Sequence, residues 1–122
     1  MRLSTITMAV AAAASLTAAP VSAHAHLVRS SPASNASTPS PKKLTLTFSE
    51  RLMPSFSKLQ LFMPMRGRNV PVAVKTGVGA DGRTLIGVPQ SPRLMKGAYL
   101  IKWTAASFDG HRTSGALPFR IN

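Results

Sequence analysis

Length, composition and charge limit what this chain can be. It has 122 residues, no cysteine, and 15 Lys and Arg residues against three acidic residues, for a formal net charge of +12. The length favours a single domain, and a hydrophobic content of 44% is typical of a folded chain. Without cysteine, disulfides, zinc fingers and thiol nucleophiles are excluded, and three carboxylates leave little room for a two-carboxylate glycosidase site.

The first 23 residues have the pattern of a secretory signal peptide. A positive charge at Arg2 is followed by a short, alanine-rich apolar run that is too short and too polar for a membrane anchor, and no later segment is suited to span a membrane. Small residues allow cleavage after Ala23 or after Ala25, and either cut leaves an N-terminal histidine. We expect residues 1–23 to be removed and residues 24–122 to form one exported domain.

The strong positive charge is scattered along the chain and does not form a run. An intracellular chain of this charge would suggest nucleic-acid binding, but export and the scarcity of interleaved aromatic residues argue against that function. We expect a solvated basic surface that faces an anionic envelope or an acidic partner, with no nucleic acid bound.

Alternating apolar and polar residues predict a series of short strands. They follow a Pro- and Ser-rich loop at 30–41 and are predicted at 43–49, 57–63, 70–75, 83–88, 98–105 and 116–121. Asp81-Gly82 predicts a tight turn before the fourth strand, and no window has helical periodicity. The core-facing residues predicted by this alternation are Leu44, Leu46, Phe48, Leu59, Leu61, Tyr99, Ile101, Trp103, Leu117, Phe119 and Ile121. The pattern predicts an all-β fold, a small antiparallel Greek-key β-barrel or immunoglobulin-like β-sandwich.

Three histidines are the residues best suited to carry chemistry. His24 and His26 lie at or beside the expected mature N-terminus, and His111 follows Asp109 by two residues, just after the strongest predicted strand. An N-terminal histidine offers its α-amine and imidazole as a chelate, and residues i and i+2 of an extended chain point to the same side. Such a nitrogen-rich set suits copper(II), with Glu50 as a further oxygen ligand or a supporting residue.

Other interpretations of these residues stay open. Asp-x-His is also an ordinary turn sequence, and an N-terminal histidine can be an accident of cleavage. If the chain begins His24-Ala25-His26, the amine, two backbone amide nitrogens and the His26 imidazole could instead surround copper(II) in a square plane. Met63 and Met65 are weak copper(I) candidates, since methionine more often fills gaps in a core.

Several stretches of the sequence together resemble the CopC family of periplasmic copper-binding proteins. They are His24-Ala25-His26-Leu27-Val28 with Ser31-Pro32, Leu46 to Glu50, Gly97 to Trp103, and Ser107 to His111 continuing through Gly115 to Ile121. The resemblance covers essentially the whole mature chain and implies a Greek-key barrel of immunoglobulin-like sandwich type. It also implies a mature N-terminus at His24 and one copper(II) ion per chain, held by His24, Asp109 and His111, with Glu50 near the site.

The resemblance also implies a location, a role and a partner. Family members act in the periplasm in copper tolerance or supply, and their partners include an inner-membrane copper transporter of the CopD type. Some members have a methionine-rich loop with a histidine that binds copper(I), whereas residues 61–74 of this chain contain only Met63 and Met65 and no histidine. We therefore expect a monomeric copper(II) carrier or buffer that performs no turnover.

Two other functions compete with copper capture. An N-terminal histidine chelate with a second histidine resembles the histidine brace of copper monooxygenases, but the one Trp and one Tyr of this chain are assigned to the core, which leaves no flat aromatic substrate surface. A basic envelope protein with incidental histidines is the third interpretation. It predicts weak, non-stoichiometric copper binding that His111→Ala leaves unchanged.

Overall fold

The strands of this chain are short and follow one another closely. The computed structural model describes residues 24–122, so the expected signal peptide at 1–23 lies outside the described residues. The elements are β1 (Leu27–Ser31), β2 (Ser37–Thr38), β3 (Leu44–Phe48), one 3-10 turn (Pro54–Phe56), β4 (Lys58–Met65), β5 (Arg68–Val72), β6 (Val74–Val78), β7 (Thr84–Pro89), β8 (Gly97–Ala106) and β9 (Arg112–Ile121). Within this part of the chain, no helix has the length and hydropathy needed to cross a membrane.

Two sheets face each other across the core. One has the strand order β1-β3-β7-β6 and the other the order β2-β9-β8-β4-β5. All pairings between these strands are antiparallel except the two-residue pairing of β2 with β9, which is parallel and corrects the purely antiparallel prediction in this one place. The predicted all-β sandwich is confirmed.

The alternation of apolar residues places them between the two sheets. The predicted core residues that the structure buries are Leu44, Leu46, Phe48, Leu59, Leu61, Tyr99, Ile101, Leu117, Phe119 and Ile121. Trp103 is half-buried and packs edge-on against Phe48, with ring centroids 5.0 Å apart. The indole fits there because its cross-strand neighbour is Gly115, where a Cβ atom would lie 2.5 Å from the Trp103 Cζ2 atom.

Two stretches differ from the prediction. The single strand predicted at 70–75 is divided at Ala73, because β5 pairs with β4 in one sheet whereas β6 pairs with β7 in the other. The loop predicted at 30–41 contains the end of β1 and all of β2, since the free edges of β3 and β9 offer hydrogen-bond partners to any backbone beside them. In both places the secondary structure is determined by the pairing between strands and not by the pattern of side chains.

Candidate metal centre

The connection between β8 and β9 is a tight turn that holds Asp109 and His111. The N–H of buried Ser107 donates to the His111 carbonyl, and the Gly110 N–H donates to the Ser107 carbonyl, each at 3.0 Å. Gly110 has φ +89°, a conformation that favours glycine. The two candidate ligands therefore come together through a turn, which corrects the extended-chain argument made from the sequence.

Both oxygens of the Asp109 carboxylate accept hydrogen bonds within this turn. Its Oδ2 atom lies 2.8 Å from His111 Nδ1, and its Oδ1 atom accepts hydrogen bonds from the His111 N–H, at 3.0 Å, and from the Ser107 hydroxyl. These hydrogen bonds, that of Ser107 foremost, hold the pKa of the Asp109 carboxyl well below its usual range. When neutral His111 donates its Nδ1 proton to Asp109, its Nε2 atom keeps a lone pair for a metal ion.

The segment 24–26 is fixed to the ends of two strands. Ala25 is only 1% exposed and belongs to the core, and its carbonyl accepts a hydrogen bond from Thr113 Oγ1 at 2.8 Å. The His26 N–H donates to Ser49 Oγ at 2.9 Å, and the Ser49 N–H donates back to the His26 carbonyl at 2.8 Å. The first described residues are therefore held between the start of β9 and the end of β3.

This attachment places His24 against His111. The two imidazole rings have centroids 4.3 Å apart and planes tilted by 43°. His24 is half-buried, whereas the His111 side chain is 58% exposed and open to an ion from solvent. Across residues 24–122, however, no three His, Asp or Glu side chains already converge as a metal site, so the ligand nitrogens would have to turn toward the ion.

Glu50 and His26 both lie near this centre, but they have different surroundings. Glu50 is half-buried and lines a cleft of about 560 Å³ together with Asp109, Phe108 and two arginines. His26 is exposed, and its backbone forms the pair of hydrogen bonds with Ser49. Glu50 therefore shares a cleft with a candidate ligand, whereas His26 belongs to the segment that fixes His24.

The candidate copper(I) residues lie toward the other end of the sandwich. Met63 is half-buried against the core and lines a cleft of about 340 Å³ with Met95, and Met65 is 47% exposed. The Met63 Cε atom comes within 3.1 Å of where a Cβ of Gly97 would stand, at the start of β8. Ten residues of β8 separate that point from the histidines, roughly 30 Å of extended chain, so the two groups cannot share an ion.

Comparison with known proteins decides the family. The CopC domain matches residues 27–122. The chain belongs to the CopC family. It is 40% identical over 119 residues to Copper resistance protein C of Xanthomonas campestris pv. juglandis, a match that covers 94% of this chain and 93% of that protein.

Two further relatives extend this assignment. The crystal structure of PcoC, a methionine-rich copper resistance protein from Escherichia coli, superposes with a TM-score of 0.75 at 34% identity and covers 82% of this chain and 100% of PcoC. Copper transport protein CutJ of Bacillus subtilis (strain 168) is 33% identical over 100 residues, which are 81% of this chain and 18% of CutJ. CopC proteins bind copper and are not enzymes, so the expected copper-binding, non-enzymatic class is confirmed and the monooxygenase alternative has no support.

Three residues that support the CopC histidine pair were missed in the sequence. The Ser107 hydroxyl donates a hydrogen bond to the Asp109 carboxylate, and the Thr113 hydroxyl donates one to the Ala25 carbonyl. The Ser49 hydroxyl accepts a hydrogen bond from the His26 N–H. The Ser-x-Asp-Gly spacing at Ser107 is a turn signal that could have been used. The other two contacts join residues far apart in the chain and leave no local signal.

Proposed function

We propose that this CopC protein is exported to the periplasm, processed to begin at His24, and captures one copper(II) ion without chemical turnover. In this proposal the ligands are the freed α-amine and imidazole of His24, the imidazole of His111, and Asp109. The observation that carries it is the packing of the His24 and His111 rings with centroids 4.3 Å apart. The CopC match begins at residue 27, so the expected signal peptide lies outside the matched domain.

Asp109 has two ways to contribute to this site. As a hydrogen-bond acceptor from His111 Nδ1, it orients the imidazole and leaves Nε2 for copper. As a direct ligand, the role expected from the sequence, it would use the second lone pair of Oδ2, which accepts only one hydrogen bond within residues 24–122, from His111 Nδ1. In both roles its negative charge, with a pKa well below the usual range, lies beside the dipositive ion. Glu50, in the neighbouring cleft, adds a second negative charge near the site.

The competing chelate of His24, Ala25 and His26 is disfavoured by the way this segment is held. That chelate needs two deprotonated backbone amide nitrogens as ligands. The His26 amide already donates to Ser49 Oγ, and Ala25 is buried in the core, so chelation would break a hydrogen bond and lift the segment from the sandwich. The pairing of His24 with His111 needs neither change.

The biological role that fits this site is a monomeric periplasmic carrier or buffer in copper homeostasis and resistance. The similarity to Copper resistance protein C supports the resistance role. The match to 18% of the longer Copper transport protein CutJ supports exchange of copper with an inner-membrane transporter of the CopD type. In this proposal the CopC protein passes on or stores the ion.

The proposal is tested by titrating copper(II) into processed protein whose N-terminal residue has been verified by mass, with EPR of the complex. We expect one tight equivalent that is lost when the α-amine is acetylated. His111→Ala should weaken binding by more than about 100-fold, because even supporting residues of metal sites contribute 10–100-fold. The matched variant His26→Ala should bind like the wild type.

Two results of this titration would contradict the proposed site. Loss of binding in His26→Ala, together with an unchanged His111→Ala, would assign copper to the His24-Ala25-His26 chelate. Indifference to acetylation and to both substitutions would mean that the histidines are incidental.

A further inference from the structure

The outer face of the five-stranded sheet carries basic and apolar side chains and no acidic one. The three acidic residues of the chain are Glu50, Asp81 and Asp109, and all three lie in connections between strands. The exposed basic residues that point outward from this sheet are Lys58 on β4, Lys102 on β8, and Arg112 and Arg120 on β9. We call the outward side of β4, β5, β8 and β9 the basic face.

Apolar side chains lie among these charges. Pairing between neighbouring strands aligns Pro71, Phe62, Leu100 and Pro118 in one row across the basic face. The Lys102 ammonium lies 5.4 Å from the Phe62 ring centroid. This combination of cations, aromatic rings and apolar side chains suits a partner surface where charged groups lie next to an apolar layer.

A second aromatic pair lies at the edge of the basic face. The Arg112 guanidinium lies 5.2 Å from the centroid of the Phe56 ring, which belongs to the 3-10 turn just before β4. Phe56 is 49% exposed, so part of its ring is accessible to a partner. The pair offers one cation and one accessible ring to the same partner surface.

The proposed copper site does not account for this face. A surface rich in Lys and Arg repels a metal cation, so copper capture gives no reason for a net charge of +12. The outer face of the other sheet also has basic residues, including Lys43 and Lys75, but its strands β3 and β7 present threonine and aliphatic side chains and no aromatic ring. Of the two outer sheet faces, only the basic face therefore combines cations with aromatic rings.

We propose that the basic face docks on the surface of a bilayer rich in anionic phospholipid. Each Lys or Arg close to such a surface strengthens binding by about fivefold, an attraction that salt screens. Four paired strands present a surface roughly 15 Å wide, broad enough to contact several headgroups at once. Phe56 and Phe62 would lie at the level of the headgroups while the cations meet the phosphates.

The test is co-sedimentation of the processed protein with vesicles of phosphatidylcholine alone or mixed with phosphatidylglycerol, at low and at physiological ionic strength. We expect binding only when phosphatidylglycerol is present, and weaker binding as salt rises. The double variant Lys58→Glu/Lys102→Glu should lose at least about 25-fold in binding, the product of two fivefold contributions. The control Lys43→Glu/Lys75→Glu makes the same change in net charge on the other sheet and should keep most of the binding.

A third variant distinguishes a bilayer from an acidic polypeptide. Phe56→Ser keeps every charge and should weaken binding to the vesicles but not to soluble polyglutamate. Thermal unfolding and a copper(II) titration of each variant verify the fold, and both should match the wild type because none of these residues belongs to the proposed copper site.

Three results would overturn the proposal. Binding that does not depend on phosphatidylglycerol would exclude an anionic bilayer. Equal losses in the two double variants would mean diffuse attraction by the whole charge. Polyglutamate binding as tight as vesicle binding, with no effect of Phe56→Ser, would assign the face to an acidic protein.

Discussion

At the scale of single residues, the candidate site depends on a carboxylate whose partners all belong to one turn. Asp109 accepts hydrogen bonds from Ser107 and from both the backbone and, at 2.8 Å, the ring of His111. This arrangement restrains the His111 imidazole through its Nδ1 atom, so less rotational freedom remains to be lost when the ligand nitrogens turn toward an ion. It also keeps a negative charge beside the histidine pair, because the Asp109 pKa lies well below its usual range.

The variant Asp109→Asn tests this role. It nearly preserves shape and removes the charge, so we expect copper(II) affinity to fall by roughly 10–100-fold, as for residues that support metal ligands. Asp81→Asn is the matched control, because Asp81 is also a turn carboxylate with a lowered pKa, caused first by the hydrogen bond from the Arg83 N–H. Equal copper affinities of the two variants, measured by competition titration, would remove Asp109 from the site.

A second prediction at this scale concerns the packing of the one tryptophan. In Gly115→Ala the new Cβ would lie 2.5 Å from the Trp103 Cζ2 atom, so the indole must move. Overpacking of this kind costs about 1–3 kcal/mol of unfolding free energy. Gly77→Ala is the control, since a Cβ there meets nothing within 4 Å. Urea denaturation followed by Trp103 fluorescence should show a clear loss only for Gly115→Ala, and similar losses in both would contradict this account.

At the scale of elements, the site joins two segments that are far apart in the amino-acid sequence. The segment 24–26 lies outside the strands, and buried Ala25 together with hydrogen bonds from Thr113 and Ser49 attaches it to the sandwich. The turn between β8 and β9 supplies the other half. The strands therefore position the histidines, although neither histidine lies within a strand.

The variant Thr113→Val tests this attachment. Valine has the shape of threonine without the hydroxyl that donates to the Ala25 carbonyl. A hydrogen bond of this kind contributes about 0.5–1.5 kcal/mol, so copper(II) affinity should fall by roughly 2–10-fold while the fold persists. Thr45→Val, on the outer face of β3 away from the site, should bind copper like the wild type. Unchanged affinity of Thr113→Val in the same titration would show that this bond does not position His24.

At the scale of the whole molecule, the sandwich separates its candidate functions in space. The histidine pair lies where β8 ends, Met63 lies where β8 begins, and the basic face covers the outside of one sheet. The acidic residues all lie in connections, so the outer surfaces of both sheets are free of negative charge. Such a distribution lets the proposed copper site and the proposed docking surface be tested by separate substitutions.

The pH dependence of copper binding follows from the site chemistry and from the stability of the whole domain. Protons compete with copper for imidazole and amine nitrogens, so affinity should decrease as pH falls from about 7 to about 5. The lowered pKa of Asp109 contributes stability that is present above about pH 4 and is lost only as pH falls through the folded-state pKa. We therefore expect copper release in a protein that remains folded. Titrations with circular dichroism at each pH check this, and a flat affinity profile would contradict the ligand set.

The sequence by itself determined the all-β class, most of the core and the family. Period-two alternation is a local property of a pleated strand, so Leu44, Leu46 and Phe48 could be assigned to the core without knowing their partners. The residue types and spacing of the histidines and Asp109 were also sufficient to nominate a copper site. The CopC match includes Asp109 and His111 and begins after His24 and His26.

Only the tertiary structure decided which residues meet. The division of one predicted strand at Ala73, the parallel contact of β2, and the attachment of Ala25 to Thr113 all depend on pairing between segments far apart in the chain. The packing of His24 against His111 depends on that attachment in turn. Such contacts are set by how the two sheets close over a common core, and no local pattern of side chains encodes them.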